Sequence, residues 1–142
     1  MRRHVLAVLL GACVVLTGAR AVFGHHSFAA EFDASKPVTL QGTITKVEWT
    51  NPHTWFYIDV QDNGKVVNWA VEGGAPNVLY REGWRPDSLK VGETVTITAS
   101  RAKDGSNLAN ATLVQLPDGR CLFAGTSGPG GTATTNCTVG RR

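Results

Sequence analysis

A single methionine, Met1, and three cysteines without a Cys-x-x-Cys pair are all the sulfur in this chain of 142 residues. That excludes a thioether cluster for copper(I) and a dithiol redox motif. No apolar run reaches the roughly 20 residues a transmembrane helix needs, and the longest, Val5–Leu16, falls well short. The Gly-x-Ser-x-Gly elbow, the His-Glu-x-x-His pair and the phosphate-binding loop are all missing. Serine-hydrolase, zinc-protease and nucleotide-hydrolysing chemistry therefore have no carrier. Charge of one sign is scarce as well. Lys and Arg number 14 against 11 Asp and Glu, but Arg2, Arg3 and Arg20 precede His25 and no acid does. From His25 onward the charges balance and are scattered. A nucleic-acid binder presents a basic face or stripe, so nucleic acid is not an expected partner.

What is present begins with an export signal. Arg2, Arg3 and His4 are followed by the uncharged run Val5–Leu16 and then by Ala21-Val22-Phe23-Gly24. This is the charged, apolar, small-residue order of a cleavable signal peptide. Val22 and Gly24 suit cleavage after Gly24, making residues 1–24 the signal and His25 the first residue of a periplasmic or secreted protein. A rival is the lipoprotein-like box Leu10-Gly11-Ala12-Cys13, with Cys13 lipidated. Its apolar run continues past the cysteine through Val14, Val15 and Leu16, which favours the first site. Cys121 and Cys137 remain as an even pair in an oxidising compartment, and a disulfide between them is expected. With that pair bonded, no thiol is left for a Cys–His nucleophile.

Residues 25–124 read as one small, mostly β domain. Residues 25–37 look like an irregular leader ending at Pro37. Val38–Trp49 alternates apolar and polar residues, with Gly42 suggesting a bulge or sharp bend. Thr50-Asn51-Pro52-His53 is a turn. Trp55–Val60 and Val66–Glu72 are strands joined by the hairpin signal Asn63-Gly64. Asn77–Glu82 is a short helix with Gly83 at its C-terminal end. Thr94–Ser100 and Asn110–Leu116 are further strands, and Arg120–Ala124 a short last one. Five strands with a helix between the third and fourth is the order of the OB-fold, a small partly open barrel; another small barrel or sandwich is the alternative. Residues 125–142 form a Gly- and Thr-rich tail, tied back only through Cys137.

Three histidines follow the signal: His25 and His26 at the new N-terminus, and His53 in the first turn. An N-terminal histidine can chelate a metal through its α-amine and its ring Nδ1. With His53 it would form a three-nitrogen site of the histidine-brace type. Such ligands suit copper(II) first, with zinc or nickel after it. Glu72, between Trp69-Ala70-Val71 and Gly73-Gly74, is a further candidate ligand or a partner that orients a ring. The plain alternative is a solvated end and a turn histidine. Trp49, Asn51, Trp55 and Trp69 are candidate ligand-binding residues, because aromatic faces stack on bases and sugars. The same tryptophans, with Trp84, Phe56 and Tyr57, are equally what fills a small β core.

The motifs His25-His26-Ser27-Phe28 and Asn51-Pro52-His53, with Asn68-Trp69-Ala70-Val71-Glu72, Gly83-Trp84, Leu89-Lys90-Val91-Gly92-Glu93 and Leu116-Pro117-Asp118-Gly119-Arg120, resemble a family of uncharacterised exported bacterial proteins, a domain of unknown function. The chain is also similar to periplasmic OB-fold proteins. The resemblance implies cleavage just before the histidine pair and implies no activity. The expectation is a periplasmic metal-binding module, more a binder than an enzyme, whose partner is a metal ion or another envelope protein. A non-catalytic OB-fold module binding a ligand or a protein is the alternative. The intact mass of the exported protein is expected to place His25 first; a lipidated Cys13 start would remove the histidine amine and with it the brace.

Overall fold

The computed structural model describes residues 28–125 and Cys137. The expected signal peptide, His25, His26 and the rest of the tail lie outside the described residues. A short helix, α1 (Phe28–Glu31), runs straight into β1 (Phe32–Glu48). There follow β2 (Trp55–Asp62), β3 (Lys65–Glu72), helix α2 (Pro76–Arg81), β4 (Thr94–Ala102), β5 (Leu108–Gln115) and β6 (Cys121–Phe123). All six strands lie in one sheet in the order β3-β2-β1-β4-β5-β6, each antiparallel to its neighbour. In addition β3 pairs with β5 in parallel, through Ala70↔Leu108, Val71↔Ala109 and Glu72↔Asn110.

Alternation builds the core. Leu40, Gly42 and Ile44 of β1, Phe56 and Ile58 of β2, Trp69 and Val71 of β3, and Val95, Ile97 and Ala99 of β4 are buried at a spacing of two. The intervening Thr39, Gln41 and Thr43 face outward. This is the half-buried strand pattern that the sequence predicts. Asp62 pairs with Lys65 across the hairpin, with Asn63 at φ 50° and Gly64 at φ 80°. Both values fall in the left-handed region required by the type I′ turn that Asn-Gly favours.

Two expectations need correction. The stretch before Pro37 is not an irregular leader. Phe32 is 3% exposed and pairs with Ala102, and Asp33 pairs with Arg101, before a break in register up to Pro37. Ser35 fills the break, its N–H and hydroxyl both donating to Asp33 Oδ1. One buried aromatic carries this strand start, so no alternation announces it. Nor is Gly42 a bulge: it pairs regularly with both Val60 and Val95. A Cβ there would sit 2.5 Å from the Asp59 carbonyl oxygen, so glycine serves a close backbone approach. The irregularity lies instead between Ile44 and Lys46.

Helix α2 starts on Pro76, whose missing N–H costs nothing in the first turn. It ends on Gly83 at φ 93°, with the Gly83 N–H donating to Tyr80 O and the Trp84 N–H to Leu79 O. This is a Schellman ending, and its usual apolar pair is present, since Leu79 and Trp84 are both fully buried. The Trp84 ring stacks on Phe56 at 5.4 Å, and its Nε1–H donates to the Phe123 carbonyl at 2.7 Å. One side chain thus fastens the end of α2, β2 and β6 together. Cys121, fully buried in β6, is bonded to Cys137 across a Cα–Cα distance of 5.5 Å, within the usual span. Among the described residues no helix is long and apolar enough to cross a membrane. Trp84→Ala is expected to cost about 3–5 kcal/mol of unfolding free energy in urea titration; a cost under about 1.5 kcal/mol, half the low end, would contradict this anchoring role.

Candidate functional site

The ladder between β2 and β3 does not stop at its last strand pair, Trp55↔Glu72. The Gly73 N–H donates to Thr54 O at 2.8 Å, and the Thr54 N–H to Gly74 O at 3.1 Å. The Gly74 N–H in turn donates to Ala124 O at 2.8 Å. A side chain at Gly74 would run into the Gly125 carbonyl, so only glycine lets the segment after β6 press against this corner. The cis Asn51–Pro52 peptide leads into it from the β1 side. These backbone bonds carry His53, one residue before Thr54, to the end of β3.

There the Nδ1 atom of His53 meets Oε1 of Glu72. The His53 side chain is 29% exposed and that of Glu72 only 7%. When Glu72 is ionised its carboxylate only accepts, and the ring nitrogen facing it then carries the proton. Metal ligation by this histidine then falls to Nε2. The Glu72 carboxyl is pushed above its ordinary value by burial; attraction to His53 and a hydrogen bond from the Asn110 side chain work against that push, and the charge of Glu31 adds to it. Asn110, 4% exposed, faces Glu72 across the β3–β5 pairing. Thr54 is fully buried, and its Oγ1 has no hydrogen-bond partner among the described residues. Imidazole, carboxyl and amide groups therefore share one corner at the end of β3.

The start of the described chain is anchored at the same end. The Lys103 N–H donates to Glu31 O at 2.9 Å, Lys103 Nζ reaches Ala29 O at 2.5 Å, and the Phe28 ring lies 5.6 Å from that of Phe32. Glu31 is close enough for its charge to act on Glu72.

Of the residues singled out from the sequence, His53 and Glu72 are brought together. His25 and His26 lie outside the described residues. Among the described residues no three of His, Cys, Asp and Glu converge as a metal-binding group. The aromatic candidates separate. Trp69 is buried, with the Arg101 guanidinium 5.3 Å above its ring. Trp49 lies 6.5 Å from Trp84, partly buried against the core. Trp55 is half-buried opposite Glu72, and Asn51 is exposed in the turn. Sequence reasoning missed Asn110 and Thr54. The signal for Asn110 was a polar residue between Ala109 and Ala111, two alanines that are both fully buried.

A family model described as a family of unknown function (DUF6152) matches residues 12–111 of the chain. No curated protein matches it.

The raised carboxyl of Glu72 sets a sign for stability against pH. Its contribution is full below the ordinary carboxylate range and is lost as pH climbs through the raised folded-state value. Glu72→Gln has no such group to titrate. Wild type is therefore expected to lose stability relative to Glu72→Gln as pH rises from about 4 toward neutral, read from paired urea titrations. A wild-type advantage that grows with pH would reverse the assignment.

Proposed function

From the premise that the chain belongs to the DUF6152 family of unknown function, we propose that it is a small exported metal-binding module that takes copper(II) in preference to zinc or nickel. The observation that carries this reading is the His53–Glu72 contact: a half-open imidazole whose Nδ1 is engaged by a buried carboxylate. Carboxylate-backed imidazole is the usual form of a histidine metal ligand. The anchoring of α1 adds support. Glu31 acts on Glu72, and His25 precedes the first residue of α1 by three residues, a span of at most about 10 Å, so an N-terminal histidine starts near this end of the sheet. Cleavage after Gly24 would give His25 a free α-amine, which loses its proton near pH 8. Amine, His25 ring and His53 would then supply three nitrogens, with His26 beside them, a set that suits copper(II).

In this reading the sheet is an OB-like barrel. The parallel β3–β5 pairing joins the two ends of the series β3-β2-β1-β4-β5, and α2 falls between β3 and β4. The module would buffer or deliver a metal in the periplasm. A second reading, ligand binding by the outer face, is favoured by an open groove of about 730 Å³ lined by Thr39, Gln41, Thr43, Asp59, Gln61 and Thr94.

Copper(II) titration of protein exported from cells, its His25 start verified by mass, tests the proposal. His53→Ala is expected to weaken binding by more than the roughly 10–100-fold that follows loss of an outer-shell partner. Unchanged affinity would remove His53 from the site and leave the groove as the better account.

A further inference from the structure

The corner that holds His53 contains more buried polar groups than one metal ligand needs, and their arrangement divides the labour among them. Glu72 is the innermost. Its side chain is 7% exposed, against 29% for His53. It is approached from two separate elements: His53 Nδ1 from the loop between β1 and β2, and Asn110 from β5. The Asn110 backbone is in register with that of Glu72, so the amide stands directly across the strand pair. The Thr54–Gly73 and Thr54–Gly74 bonds fix the backbone on which His53 sits against the end of β3. A carboxylate buried this deeply and already engaged by an imidazole and an amide is badly placed to reach an exposed cation. It is well placed to aim a ring.

We propose that Glu72 and Asn110 are positioning residues: Asn110 holds the Glu72 carboxylate, and the carboxylate holds Nδ1–H of His53, so that the ring presents Nε2 outward and Glu72 itself is not a ligand. This rests on the metal-binding reading for its purpose, but not for its geometry. It changes the chemistry of the site. Without Glu72 in the ligand set, all donors are neutral nitrogens, and the negative charge lies behind the imidazole, where it raises ligand basicity. Such a set favours copper(II) over the hard cations that carboxylate oxygens attract.

The test uses the exported, full-length mature protein labelled with ¹⁵N. Long-range proton–nitrogen spectra of the metal-free protein at pH 8 read the His53 tautomer directly. Wild type is expected to show Nδ1–H with Nε2 unprotonated. Glu72→Gln keeps a carbonyl oxygen that accepts from Nδ1–H and is expected to retain that tautomer. Glu72→Ala is expected to move His53 toward the mixture of a free imidazole, and Asn110→Ala to move it part of the way. Copper(II) affinity is expected to fall about 10–100-fold in Glu72→Ala and to stay within severalfold of wild type in Glu72→Gln. A ligand role predicts the opposite for Glu72→Gln, since an amide oxygen is a far poorer donor than a carboxylate; equal losses in the two variants would overturn the proposal. An Nε2–H tautomer in wild type would overturn it without any variant, so a variant that fails to fold does not shelter it. Wild-type protein that shows Nδ1–H but binds no copper(II) would support the positioning geometry while removing the metal reading.

Discussion

Three residue pairs between β3 and β5 decide where the polar chemistry of this protein lies. The parallel contact Ala70–Glu72 with Leu108–Asn110 brings two strands together that are at opposite ends of the antiparallel series from β3 to β5. Because it involves the last residues of β3, it covers Glu72 and sets Asn110 across from it. A carboxylate that would be solvated at an open strand end is instead buried, and burial of a charged group demands partners. His53 and Asn110 are those partners, and the loop between β1 and β2 takes the path that delivers the histidine.

Behind that corner stands a wall made late in the chain. β6 is only three residues long, yet Leu122 and Cys121 are fully or almost fully buried, and the Phe123 carbonyl takes the indole N–H of Trp84. The segment that follows lies against Gly73 and Gly74 with no room for a side chain at the second of them. The glycine pair is therefore a packing device. It admits the backbone of residues 124–125, which receives the Gly74 N–H, while the same pair holds Thr54. Core packing and the placement of His53 are one problem, solved by shared backbone hydrogen bonds.

Much of the fold was legible residue by residue. β-branched and apolar residues at a spacing of two marked β2, β3 and β4, and Asn63-Gly64 marked the hairpin. Gly83 marked the end of α2, because glycine suits the left-handed residue past the last helical turn. Where a strand depends on one residue the pattern fell silent: Phe32 alone starts β1, and α1 before it has no buried side chain. Gly42 was misread because a glycine inside a strand marks either a bulge or a close approach, and only the position of the Asp59 carbonyl distinguishes them.

The site divides along the same line. His53 and Glu72 stood out in the sequence as chemistry-bearing residues near turns, from their types and neighbours alone. That they touch, with the imidazole outside and the carboxyl within, was decided by tertiary structure, as was the part played by Asn110. Local sequence dictates period, turns and helix ends because these depend on φ, ψ and the alternation of side chains over a few residues. Contacts between residue 53, residue 72 and residue 110 depend on strand register across the sheet and on the β3–β5 pairing. No local preference encodes them; they arise only when the whole core closes.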